Sequence, residues 1–165
     1  MSDEQDASLE SKSDKKGAAV KFPPPAIFAS LILLGAGMQM LWPLRLGIPE
    51  SLEIIGYLLV LCGVAIAILV SSSFRKVGTA IEPWKPTTAI VTTGIYAWSR
   101  NPIYTGFCFI NIGIGIATNN LWIFASFIPA AFLLYHIAIA KEESYLEQKF
   151  GDEYLAYKKS VRRWI

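Results

Sequence analysis

Cysteine and histidine are both scarce: the 165 residues hold two of the first and one of the second. Cys62 and Cys108 each lie in the middle of an apolar run, too few and too far apart for a disulfide frame or a Cys/His metal cluster. Metal chemistry is therefore not expected, and the two thiols are expected to be reduced. Charge is the next shortage. Asp, Glu, Lys and Arg make up 17% of the chain, against roughly 25% in soluble domains. The net charge of +2 is too small to call for a nucleic-acid partner. Residues 54–74 and 103–140 carry no Asp, Glu, Lys or Arg at all.

What is present in their place is hydrophobicity, 53% of the residues. A membrane span needs about 20 apolar residues, so 103–140 is long enough for two helices. The expected fold is all-α: an integral membrane protein of about four transmembrane helices with a cytoplasmic amphipathic C-terminal segment. The basic residues fall as four in 1–25, one in the 43–53 connection, four in 74–102, none at 118–121 and six in 141–165. With four spans, fourteen of the fifteen share one side. The positive-inside rule then puts both termini and the central loop in the cytoplasm, and in a bacterium the host bilayer would be the inner membrane.

Residues 1–22 alternate acidic and basic groups with few apolar anchors, and are expected to form a disordered cytoplasmic tail. They show no cleavable signal, so the first span is expected to be retained. Residues 23–165 are expected to be a single membrane domain entered through Pro23-Pro24-Pro25. Spans are expected at about 26–42, 52–72, 102–117 and 121–140. Gly35, Ala36 and Gly37 offer the first span a small packing face, and Gly56 and Gly63 do the same for the second. The loop 74–101 is too long for a mere connection; its Trp84, Tyr96 and Trp98 suggest an ordered cap at the membrane surface. The helices of 141–165, broken at Gly151, should lie on that surface or fold back over the loop.

The chain centres on Thr93 to Gly115, where Arg100-Asn101-Pro102 puts a charged, rigid corner before an apolar helix. Tyr104, Cys108, Asn111 and Gly115 form one stripe of that helix. Periodicity alone points to helix packing through Gly113 and Gly115, with a ligand groove as the sharper alternative. His136, Glu142 and Glu143 stand at the end of the next span, and His136 and Glu143 share a helical face. Ionisable groups at a membrane edge are functional candidates; solvated interfacial charges and a packing histidine are the plain alternatives. Arg100, Arg162 and Arg163 could serve simply as positive-inside anchors.

The run Gly94-x-Tyr96-x-x-x-Arg100-Asn101-Pro102-x-Tyr104-x-Gly106 is followed by Glu142-Glu143-x-x-Leu146-x-x-x-Phe150-Gly151-x-x-Tyr154-x-x-Tyr157. Together they resemble the isoprenylcysteine carboxyl methyltransferase family, whose superfamily includes phospholipid methyltransferases. The match covers about 74–164. The resemblance implies an integral membrane transferase using S-adenosyl-L-methionine. It places Arg100, Asn101, Pro102 and Tyr104 at a cytoplasmic corner over the cofactor, Gly113 and Gly115 near it, and Glu142 and Glu143 as the acidic pair that binds it. One of the two C-terminal arginines would face the acceptor. Asn101 stands where isoprenylcysteine enzymes commonly carry His, and Asn does not titrate, so the substrate role of that histidine does not transfer.

The chemistry suits the residues. Arg100 can hold a carboxylate, the glutamates an ammonium, and an aromatic face a sulfonium. Methyl transfer to a carboxylate or thiolate needs positioning rather than a general base; an amine acceptor would need a proton acceptor such as His136. The acceptor is expected to be lipophilic or small and to arrive from the lipid bilayer. Two other readings stay open: an NADPH-dependent membrane sterol or steroid reductase, which shares a similar Arg-x-Pro-x-Tyr corner, and a non-catalytic membrane assembly protein. Oligomeric state is not legible.

Overall fold

The computed structural model describes residues 17–164. Helices α1 (Pro24–Leu41), α2 (Glu53–Val77) and α3 (Pro102–Ala117) are followed by α4, a continuous helical run over Leu121–Phe150, and by α5 (Asp152–Ser160). Short 3-10 turns at Glu50–Leu52 and Gly94–Ala97 lead into α2 and α3. No strand occurs among the described residues, so the all-α expectation holds. The helices α1, α2 with its leading turn, and α4 are long and apolar enough to cross a membrane. Leu33, Met40, Leu58, Leu61, Ile68 and Phe132 stand exposed on them, as side chains covered by lipid would.

The third expected span is shorter. Its 16 residues reach about 24 Å at 1.5 Å per residue, roughly a turn less than the ~30 Å hydrocarbon core. Yet α3 is central, touching α1, α2 and α4. The non-helical residues 98–101 precede it, and the backbone N–H groups of Arg100 and Asn101 find protein partners in the Arg162 carbonyl and Ser99 Oγ.

Glycines make the close contacts that lipid cannot drive by hydrophobicity. Gly56 and Gly63 of α2 lie against Gly113 and Gly106 of the antiparallel α3. A Cβ on Gly113 would sit 2.7 Å from the Gly56 carbonyl oxygen and 2.9 Å from Val60. Gly35 of α1 meets Ile123, and Gly115 meets the Phe124 backbone. Asn111, fully buried, ties α3 to α4 by donating to the Ile123 carbonyl at 2.8 Å and to Ser126 Oγ at 3.1 Å. Gly113→Val is expected to overpack the α2–α3 contact at a cost of about 1–3 kcal/mol, read as a lower thermal-unfolding midpoint in detergent. An unchanged midpoint would show that the helices can separate freely there.

One end of the bundle is closed by hydrogen bonds between 42–48 and 118–122. The Trp122 indole donates to the Trp42 carbonyl at 2.7 Å and Leu121 N to the Leu44 carbonyl at 3.1 Å. The other end gathers the loop 78–101, α5 and the residues before α1. Here α2 continues to Val77, past the expected boundary at 72. The hydroxyls of Ser71 and Ser73 donate to the carbonyls of Ala67 and Leu69 within the helix, and Gly78 ends it in a left-handed conformation, φ 71°.

Of the expected tail, 1–16 lie outside the described residues, whereas 17–22 are docked. Ala18 and Val20 are buried against α1, Tyr104 and α4, and Ala18 N donates to the Pro83 carbonyl at 2.9 Å. Gly17, at φ 55°, lies so close to the loop that a Cβ would be 2.3 Å from the Lys85 carbonyl oxygen. Few apolar side chains sufficed, because each enters a groove already formed by the loop and α4.

Candidate functional site

Arg100 enters the protein at the start of α3, where Pro102 fixes the first turn and the 3-10 turn Gly94–Ala97 leads in. Its side chain is 7% exposed. Nη1 donates to the Lys158 carbonyl at 2.9 Å, at the end of α5, and Nη2 to Glu143 Oε1 at 3.0 Å. Nε is a buried donor with no acceptor. The Arg100 backbone N–H donates to the Arg162 carbonyl at 2.9 Å.

Glu143 is the hub. Besides Arg100 it accepts from Arg163 through both oxygens, Nε to Oε1 at 3.0 Å and Nη2 to Oε2 at 2.9 Å. That fork-to-fork pairing is the geometry guanidinium and carboxylate favour. Arg163 also lies over the Tyr135 ring, 5.2 Å from its centre. Hydrogen bonding to Glu143 raises the Arg163 guanidinium further above its ordinary value, with burial opposing, so the pair stays ionised.

The Arg163 carbonyl is itself a partner of the corner, accepting from Asn101 Nδ2 at 3.2 Å and from Ser99 Oγ at 3.3 Å. Asn101 is buried, and its backbone N–H donates to Ser99 Oγ at 3.2 Å. Residues 161–164 thus lie across the corner, and Trp164 packs on the cluster formed by Tyr104, Leu134 and Ile139.

Glu142, next along α4, is placed differently. Its hydrogen bond comes from the buried Tyr104 hydroxyl, and no arginine pairs with it among the described residues. Two neighbouring carboxylates therefore have separate surroundings: Glu143 between two guanidinium groups, Glu142 on a phenol.

A π-helical segment, Tyr135–Ile139, produces this division. The buried positions of α4 run Ala130, Leu134, then the adjacent pair Ala138 and Ile139, then Glu143. From Ala138 an unbroken α-helix would carry the stripe on to 141 or 142. The extra residue instead brings Glu143 inward, as π-bulges at functional sites do. It also rotates Glu143 by about 100° relative to His136, undoing the shared face that a regular helix would give them. His136 stands exposed, with its ring against Phe132 and Tyr135 at 4.5 and 5.0 Å.

Beside Arg100 lies a cavity of about 100 Å³, lined among others by Phe74, Val91, Tyr96, Asn101, Tyr154 and Tyr157. Tyr157 donates to the Tyr96 carbonyl at 2.7 Å. Burial pushes its phenol up to about 12, with Arg100 opposing, and pushes Tyr96 and Tyr154 up as well. All three are neutral donors at physiological pH.

The structure therefore brings together Arg100, Asn101, Pro102, Tyr104, Glu142 and Glu143. It does not bring His136 to them, nor Gly113 and Gly115, which lie about 14 and 17 Å further along α3 in contact with α2 and Phe124. Arg163 is the C-terminal arginine that meets the cluster; Arg162 contributes its carbonyl. Ser99, Tyr96 as a backbone acceptor and the π segment were not anticipated, and only the aromatic spacing of the loop hinted at any of them.

An S-adenosylmethionine-like group carries a carboxylate, an ammonium, a sulfonium and an adenine. The unpartnered Nε of Arg100, the Glu142 carboxylate and the tyrosines around the cavity match that set in kind. The cavity is smaller than the roughly 300 Å³ and upward typical of ligand pockets, so such a group would enter only with a shift of the loop 79–93 that lines it.

Residues 52–153, more than half of the chain, match the model of the family described as phospholipid methyltransferase. A protein-S-isoprenylcysteine O-methyltransferase of Homo sapiens is 36% identical over 75 residues, 46% of this chain and 26% of that protein. One of Saccharomyces cerevisiae is 38% identical over 72 residues, 44% of this chain and 30% of that protein. The chain thus spans less than a third of the length of these curated relatives. A corner of Arg100 and Tyr104 facing paired glutamates, inside a match that runs from α2 into α5, makes this chain a member of the phospholipid methyltransferase family.

Proposed function

We propose that this protein is an integral membrane methyltransferase that takes S-adenosylmethionine from the cytoplasm and a lipophilic or small acceptor from the bilayer. The observation that carries the reading is the buried Arg100 Nε without an acceptor, beside a cavity walled by tyrosines and near one carboxylate, Glu142, that no arginine engages. Arg100, Asn101, Pro102, Tyr104 and Glu142 would hold the donor. When bound, it supplies an electrophilic methyl group on a sulfonium.

The protein's own residues position and enclose. Arg100 offers its free N–H to a carboxylate. Glu142, oriented by the Tyr104 hydroxyl, faces a cation. Glu143 keeps Arg100 and Arg163 in place, and the neutral tyrosines and residues 161–164 exclude water, which strengthens each of these contacts. At the membrane edge beside this corner an acceptor would approach sideways from the bilayer. The crowding of basic residues at this end supports a cytoplasmic orientation for both termini. The local likeness to isoprenylcysteine O-methyltransferases supports transfer over NADPH-dependent reduction.

Titration calorimetry of the detergent-purified protein with S-adenosylmethionine, with NADPH in parallel, tests the reading. Micromolar binding of the first and none of the second is expected. Binding of NADPH alone would move the assignment to a reductase, and binding of neither would overturn the donor site.

A further inference from the structure

A second recess lies on the far side of α2 from the cofactor corner. Val64, Ala67, Ile68, Ser71, Ser72 and Arg75, with Ile110 of α3, line an open groove of about 310 Å³. Its floor is made of small side chains, Ala67 and Ser71, one turn apart. Ile110 can stand beside them because Gly63 and Gly106 let α2 and α3 approach so closely that a Cβ on Gly63 would be 2.5 Å from the Gly106 carbonyl oxygen. The serine hydroxyls do not make the groove polar. Ser71 donates to Ala67 O at 2.8 Å, and Ser72 to the carbonyls of Ile68 and Leu69 at 3.1 Å.

The polar end is therefore cationic. Arg75 closes the groove and Lys76 follows it; both are exposed, and neither has a carboxylate partner among the described residues. The length is telling as well. From Val64 to Arg75 the helix rises about 16 Å, close to half of the ~30 Å hydrocarbon core. An apolar channel one leaflet deep, with unpaired positive charge at its headgroup end, has the form of a lipid seat. Juxtamembrane Lys and Arg attract anionic lipid by about 1 kcal/mol each.

We propose that this groove binds an anionic phospholipid of the leaflet on the side of the loop 78–101. Its phosphate lies at Arg75 and Lys76, and one acyl chain runs along Ala67 and Ser71 beside Ile110. The site is separate from the cofactor corner and does not depend on what that corner transfers.

The test uses the full chain in detergent. Phosphatidylglycerol and phosphatidylcholine of identical chains are titrated while intact protein–lipid complexes are counted by native mass spectrometry. Phosphatidylglycerol is expected to bind at least tenfold more tightly. R75Q/K76Q is expected to remove that preference. A67F, which fills the groove from its floor, is expected to weaken binding of phosphatidylglycerol about tenfold while helical circular dichroism is unchanged. Glycerol phosphate, lacking chains, is expected not to compete. Equal binding of the two lipids, full retention of binding in A67F, or competition by glycerol phosphate would each overturn the proposal.

Discussion

Glu143→Ala is expected to be the most damaging single substitution in this protein, lowering its stability by roughly 3–5 kcal/mol, the cost of leaving a buried charge without its partner. The reason is Arg100, whose side chain is 7% exposed beside a Glu143 side chain that is 10% exposed. Without the carboxylate, the guanidinium keeps one strong bond, to the Lys158 carbonyl, and stays charged in a poorly solvated place. The substitution also frees Arg163, and with it residues 161–164, whose carbonyls hold Arg100, Ser99 and Asn101.

Arg163→Ala removes the other half of the same arrangement at far smaller cost, about 1 kcal/mol, because that side chain is 35% exposed and water can replace its contacts. Thermal midpoints and near-ultraviolet circular dichroism in detergent would rank the two. A Glu143→Ala protein as stable as the wild type would mean that Arg100 is solvated and the network is incidental. The double replacement R100L/E143L is expected to recover much of the loss, as apolar substitutes for buried pairs do, yet not to bind the donor. Stability and binding would thereby be separated.

The second large effect is on binding. Glu142→Gln preserves shape and can still accept from Tyr104, so stability is expected to change by less than about 1 kcal/mol, within the range of ordinary single hydrogen bonds. Affinity for S-adenosylmethionine is expected to fall by about 30-fold, since a hydrogen bond to a charged group contributes about 1.5–3 kcal/mol. Repeating the calorimetry with S-adenosylhomocysteine adds a distinction. An equal loss for both ligands puts Glu142 on the ammonium, which both carry; a loss confined to S-adenosylmethionine puts it near the sulfonium. Unchanged affinity for both would remove Glu142 from the site and leave Glu143 as the acidic residue to explain.

The contrast between these neighbours marks where the sequence was readable. Glycines seven apart on α2 pointed to a packing face, and Gly56 and Gly63 do pack, on Gly113 and Gly106. Charge distribution and apolar length indicated the helices and the common end of loop and termini. Arg100, Asn101, Tyr104 and the glutamates were legible as a motif, and proximity in space follows from α3 and α4 forming a hairpin.

The partition between Glu142 and Glu143 was not legible. It depends on one extra residue in a helical turn, and no residue type in Tyr135–Ile139 signals a π segment. For the same reason a seven-residue spacing tied His136 to Glu143 on paper only. The docking of Gly17 to Val20 was hidden as well, because a composition that looks unanchored says nothing about a groove assembled from residues more than sixty positions away.

That docking bears on the order in which the molecule is made. Val20 and Trp164 pack on the same cluster around Tyr104 and Leu134, so a residue made before α1 waits for one made after α5. Helices α1 to α4 can enter the bilayer one after another as they leave the ribosome. The corner stays open until synthesis has passed Arg163, whose carbonyl Asn101 and Ser99 require. A chain halted anywhere before that point would sit in the membrane with its helices formed and the Arg100 corner unbuilt.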